Sequence, residues 1–326
     1  VPAAFHDKGS LVTLIALEEH ILPAELAGRI GRGLPNPPAI ADALAAAGAE
    51  RLEVMDAAGI DLQVLSVPPP AAQNIGPADA VALARELNDR IAAVVAAHPT
   101  RFRAMATLPT PDPAAAVAEL HRAVGELGCC GVLINGHTHG RFLDAPEFEP
   151  VLAAIDQLGV PLYLHPTMPP PEVADIYFGG LEPQASAMLA SAGWGWHVET
   201  GLHILRLVMG GVFDRHPGLQ VVVGHMGENL PFSLMRADAV LSRLRPGLPS
   251  VAETVREHVH LTICGYTTVP PLQCALAVFG ADRLLFSADY PYGDSQKHAT
   301  FLAEAPIAPA DREKIAHLNA ERLFGL

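Results

Sequence analysis

Short runs of leucine and β-branched residues recur eight times along this 326-residue chain. Longer segments lie between them, with apolar residues returning every three or four positions. The runs are Leu11–Leu17, Leu62–Val67, Arg103–Leu108, Gly131–Asn135, Val160–His165, Leu219–His225, Val259–Cys264 and Arg283–Asp289. Most are continuously apolar rather than alternating, the pattern of strands buried on both faces. Helical periodicity marks Ala78–Ala97, where Leu83, Leu87, Ile91 and Val94 share a stripe. It also marks Pro113–Leu127, Glu147–Leu158, His197–Arg215, Pro231–Leu244, Pro270–Phe279 and Pro309–Asn319, several of which start on the proline that suits a first helical turn. Strand and helix alternating eight times predict an α/β fold, a (β/α)8 TIM-like barrel with room for distortion. Long inserted loops are expected at Leu22–Ala41 and Thr167–Trp194. A doubly wound open sheet with a cap domain is the alternative, but no G-x-G-x-x-G follows the first run. Residues 11–326 are expected to form a single domain, and residues 1–10 an N-terminal tail or expression remnant.

Composition narrows the function. Half the residues are hydrophobic and 17% are charged, which excludes a disordered chain. A net charge of −14 without a basic run argues against nucleic-acid or membrane-surface partners. No apolar run is long enough to span a bilayer. Four cysteines without C-x-x-C make neither a disulfide framework nor a cysteine zinc module, and fit a reducing cytoplasm. Cys129-Cys130 reads as the entry to a buried strand.

The polar residues are informative by position, because catalytic side chains of such barrels sit at the C-terminal ends of the strands. The first run leads into Glu18-Glu19-His20, the fourth ends at Asn135, and the fifth ends at His165. The sixth ends at His225 with Glu228 three residues on, and the eighth ends at Asp289. Glu18 and His20, two apart on extended chain, point to one face and can grip one ion together. His165 and Asp289 can complete a site of nitrogen and oxygen donors suited to Zn²⁺ or Mn²⁺, with open positions left for substrate or water. The only lysines, Lys8, Lys297 and Lys314, end no strand, so a lysine-bridged metal pair is excluded and one divalent ion per subunit is expected. His137 and His139 in N-G-H-T-H-G read as exposed or pocket-lining. His197 with Glu199 reads as an ordinary helix start, and Trp194 and Trp196 in G-W-G-W-H as packing near a loop base, with an aromatic pocket lined by one of them as the alternative.

Taken together, A-L-E-E-H, Y-L-H-P, G-H-M-G-E and L-F-S-A-D-Y-P resemble the amidohydrolase superfamily. The likeness is nearest to its decarboxylase branch, related to aminocarboxymuconate semialdehyde decarboxylase and including the γ-resorcylate and 2,3-dihydroxybenzoate decarboxylases. It runs from about Leu14 to Phe324 and takes in E-T-G-L-H-I-L-R-L and F-D-R-H-P-G-L. The resemblance implies a Glu-x-His metal pair at Glu18 and His20, with His165 and Asp289 as further ligands and His225 held by Glu228. It implies a homodimer or homotetramer in which Arg236 reaches a neighbouring subunit's pocket. The substrate contacts are expected from Arg236, Asn135, Trp194, Tyr290 and Ile21; Tyr290 and Ile21 stand where relatives carry Trp and Phe. The expected reaction is non-oxidative decarboxylation of a small hydroxylated aromatic acid. Asp289, its pKa raised, would be the ring-protonating acid, with His225 and Glu228 assisting. A mononuclear metal hydrolase of an amide, lactone or ester uses the same ligand set, and a non-catalytic barrel binding an acidic ligand is a third reading.

Overall fold

The apolar runs become strands because each strand is covered twice, by the barrel interior and by a surrounding layer of helices. The computed structural model describes residues 13–31 and 36–326; the expected tail and the start of the first expected strand lie outside them. The strands are β1 (Ile15–His20), β2 (Leu62–Ser66), β3 (Phe102–Thr107), β4 (Gly131–Asn135), β5 (Leu162–His165), β6 (Val221–Val223), β7 (Val259–Thr262) and β8 (Leu284–Leu285). All neighbours pair in parallel, in sequence order. A bridge between Leu17 and Ser287 brings the last strand back to the first. This is the expected (β/α)8 barrel.

The helices are α1 (Pro38–Ala45), α2 (Ala49–Ala58), α3 (Pro77–Ala97), α4 (Pro113–Gly125), α5 (Glu149–Leu158), α6 (Pro171–Phe178), α7 (Pro183–Ala190), α8 (Gly195–Met209), α9 (Val212–Arg215), α10 (Leu230–Leu241), α11 (Val251–His258), α12 (Val269–Phe279), α13 (Ser295–Glu304), α14 (Pro309–Glu313) and α15 (Asn319–Phe324). Two expectations need correction. The segment 167–194, read as loop, carries α6 and α7, each opening on a proline that disguises it as a breaker. The expected helix His197–Arg215 is divided by Gly210 and Gly211, the latter at φ +69°.

Strand parity sorts the core. Leu17, Val64, Met105, Leu133, Tyr163, Val222 and Leu285 fill the barrel interior, where Phe324 of α15 also packs. Leu65, Ala104, Ile134, Leu164, Val223 and Leu261 face outward into the larger core shared with the helices. Among the described residues, no helix is long and apolar enough to cross a membrane.

Candidate metal centre and catalytic site

Strand β1 solves a parity problem. Ile15 and Leu17 point into the barrel, so a regular strand would send Glu19 inward and Glu18 and His20 out among the helices. Instead β1 carries one extra residue between Ala16 and Glu19 relative to β2, and Glu18 sits at φ +60°. This bulge reverses the parity. Glu18 and His20 do share one face, as expected, but the bulge decides that it is the inner one.

Four ligand atoms then converge. Glu18, His20, His165 and Asp289 each offer one, all within 4.8 Å of one another. His20 Nε2 lies 3.3 Å from Asp289 Oδ1, and His165 Nε2 lies 3.3 Å from Glu18 Oε1. Donors about 2.0–2.2 Å from one ion stand this far apart. Glu18 Oε1, His20 Nε2 and Asp289 Oδ1 are buried without a hydrogen-bond partner. Such orphaned atoms are costly unless something satisfies them, and a divalent cation at their centre does so. The set therefore fits one metal ion.

The other atoms of these side chains are held from behind. His165 Nδ1 donates to the carbonyl of Pro166 at 2.7 Å, which leaves the Nε2 lone pair facing the centre. His20 Nδ1 meets Ser66 Oγ at 3.1 Å. Glu18 Oε2 accepts from the Tyr163 hydroxyl, from Thr262 Oγ1 at 3.2 Å and from Cys264 Sγ at 2.8 Å. Gly224 allows this approach, since a Cβ there would sit 2.8 Å from Glu18 Oε1. Burial pushes the Glu18 carboxyl above its usual range, and holds His165 down to about 3, in the neutral form a ligand requires.

Glu19 turns the other way. It accepts from Ala288 N at 2.9 Å and Gln63 Nε2 at 3.0 Å, tying β1 to the residue before Asp289. Burial pushes it up to about 8. Arg51 on α2, fully buried, donates to the His20 carbonyl at 2.5 Å and lies over the Tyr290 ring at 4.8 Å.

Beside the metal centre, His225 Nε2 lies 3.7 Å from Asp289 Oδ2, and its Nδ1 meets Glu228 Oε1 at 2.6 Å. Asp289 does not have the raised pKa expected of it. Burial alone would raise it, but the His20 and His225 imidazoles beside it outweigh burial and draw the carboxyl below its usual value. On His225 burial acts downward, yet Glu228, Cys264, Glu18 and Asp289 raise it well above the ordinary imidazole. Glu228, despite burial, is drawn down to about 2 by His225 and His197.

The expected substrate contacts fare unevenly. Asn135 is buried beside His165 in register, with Oδ1 unpartnered. Ile21 is 1% exposed and packs into the outer core, so it offers no pocket surface. The Tyr290 ring is engaged by Arg51, and Trp194 is 53% exposed. Trp196 and Tyr292 stand nearer the metal ligands instead, with ring centroids 6.2 Å from His165 and 5.8 Å from His20. Arg236 is exposed on α10. His137 is buried, with Nε2 against the Met168 carbonyl at 3.0 Å. Tyr163, Thr262 and Cys264 were readable in principle, since each shares inward parity with a strand-end position. His197 carried no local signal.

The chain matches the amidohydrolase family model over residues 20–326. It is 37% identical to the decarboxylase orsB of Emericella nidulans, over 95% of this chain and 96% of that one. It is 39% identical to a γ-resorcylate decarboxylase of Rhizobium radiobacter, over 85% and 86%. A dihydroxybenzoic acid decarboxylase of Polaromonas sp. JS666, solved with manganese and the inhibitor 2-nitroresorcinol, superposes with a TM-score of 0.87 at 36% identity, covering 96% of this chain and 97% of that one.

Proposed function

Because this chain belongs to the amidohydrolase family, with decarboxylases of aromatic acids among its relatives, we propose that it is a metal-dependent lyase removing CO₂ from a hydroxylated aromatic carboxylic acid. The observation that carries the reading is the convergence of Glu18, His20, His165 and Asp289 with three orphaned ligand atoms, next to the Asp289–His225 pair. These four residues would hold the ion. Two imidazoles and two carboxylates accept Mn²⁺ or Zn²⁺, and the manganese of the Polaromonas relative makes Mn²⁺ the first ion to supply. When bound, it supplies positive charge for the substrate carboxylate and an ortho hydroxyl, offsetting a chain charge of −14.

Breaking the ring–carboxylate bond directly would leave an aryl carbanion. Protonating the ring carbon first avoids it. The Asp289–His225 pair delivers its proton to the carbon bearing the carboxylate, the C–C bond breaks, and its electron pair restores the aromatic ring as CO₂ departs. The pair then regains a proton from water. Glu228 keeps the His225 ring oriented, and Asn135 Oδ1 and the Trp196 Nε1–H, both buried and unpartnered, are free to meet substrate oxygens.

A second copy of the chain fits the exposed face of α10. Phe232, Met235 and Val240 there are 89%, 51% and 47% exposed around Arg236, an apolar stripe of the kind that marks association. In this reading Arg236 reaches the partner's pocket. Arg236→Ala then weakens substrate binding, raising KM in the oligomer; an active isolated monomer ends the idea.

The test of the lyase is a panel of hydroxybenzoates with added Mn²⁺ or Zn²⁺, followed for CO₂ and the decarboxylated phenol. CO₂ release without solvent oxygen entering the product supports it. Hydrolysis of an amide, lactone or ester, with solvent oxygen in the product, replaces it.

A further inference from the structure

The carboxylate that orients His225 is shared. Glu228 is fully buried and accepts at both oxygens: His225 Nδ1 reaches Oε1 at 2.6 Å and His197 Nδ1 reaches Oε2 at 2.5 Å. The second imidazole comes from a different element, the first turn of α8. Its other nitrogen, Nε2, meets the carbonyl of Ala192 at 3.1 Å, so both ring nitrogens are engaged and the ring cannot rotate without losing a bond.

The turn it grips needs such a hold. His225, Met226, Glu228 and Asn229 all adopt positive φ, between +48° and +65°. Left-handed backbone is strained for a residue with a side chain and persists only where its surroundings hold it. The turn's own backbone bonds are few, Gly227 N to Gly224 O at 2.8 Å and Glu228 N to His225 O at 3.4 Å; His225 N donates outside it, to the Cys264 side-chain Sγ at 3.3 Å. Helix α8 lies directly against it, and a Cβ at Gly201 would come within 2.8 Å of the Glu228 carbonyl.

We propose that His197 is a positioning residue for the reaction: by fixing the outer oxygen of Glu228 it stops that carboxylate from rotating, and so keeps His225 Nε2 aimed at Asp289. This rests on the decarboxylase reading for its kinetic consequence, but not for its geometric one. His197 is not one of the four residues of the metal centre. It transmits through Glu228.

The experiment compares His197→Ala and His197→Asn with the parent protein, all loaded with Mn²⁺. Asparagine keeps an N–H near the place of Nδ1 and loses the tie to Ala192. The alanine variant is expected to lose roughly 10- to 100-fold in kcat, with metal content and KM within about two-fold of the parent, and asparagine to restore most of the loss. Loss of metal together with activity, or an unchanged kcat, overturns the proposal. If the parent decarboxylates nothing, the function proposed above fails, and the geometry is still decided by proton NMR. The parent should show two strongly downfield imidazole N–H signals from the pair on Glu228. His197→Ala should remove one and shift the other. An unmoved His225 signal overturns the positioning role whatever the substrate.

Discussion

Replacing Tyr163 by phenylalanine isolates the orientation of Glu18 from its chemistry. The ring stays, filling the same buried space, and one hydroxyl donor to Glu18 Oε2 disappears. A hydrogen bond to a charged group is worth about 1.5–3 kcal/mol, against about 0.5–1.5 for a neutral one. The difference matters because Glu18 changes state. Without metal, burial raises its pKa and favours the neutral acid. With metal it must be ionised. The hydroxyl therefore contributes more to the loaded protein than to the metal-free one. Subtracting the neutral value from the charged one leaves about 1–1.5 kcal/mol, roughly 5- to 13-fold in affinity at 1.36 kcal/mol per decade. Thr262 and Cys264 still donate to the same oxygen, which places the expectation near the lower end, about five-fold weaker Mn²⁺ binding. Calorimetric titration of the stripped protein with Mn²⁺ measures it, and thermal melts in chelator and in excess Mn²⁺ check the asymmetry. A dissociation constant within two-fold of the parent, or an equal fall in both melts, refutes the reasoning.

Asp289→Asn breaks the Asp289–His225 pair and should leave the circular dichroism melt of the metal-free protein near that of the parent while lowering turnover at least about 10²-fold, the lower bound for disabled proton transfer; a near-normal rate removes Asp289 from its role. His165→Ala should lower the metal content of purified protein, and full occupancy by elemental analysis takes His165 out of the ligand set. Burial holds both His203 and His260 down to about 3 in the fold. Their depressed folded values mean that the unfolded chain takes up protons first as pH falls. Stability present above about 6.5 is lost progressively toward about 3. His203→Gln should flatten the slope of unfolding free energy against pH in that window, and an unchanged slope rejects the assignment.

The alternation of strand and helix determined the barrel, and the barrel made the ligands legible. Its geometry gathers strand ends at one mouth, so Glu18, His20, His165 and Asp289 could be matched across the chain without knowing a single contact. Helix α6 and α7 were less visible because their opening prolines look the same at a helix start as in a loop. The inward face of β1, the depressed carboxyl of Asp289 and the grip of His197 on Glu228 were settled by tertiary structure. A residue's type and spacing state what it can bind. Which face it presents depends on an extra residue within its own strand, and its charge depends on neighbours that folding brings from 30 or more positions away. Those are differences in local field and strand register, and they exist only once the barrel has closed.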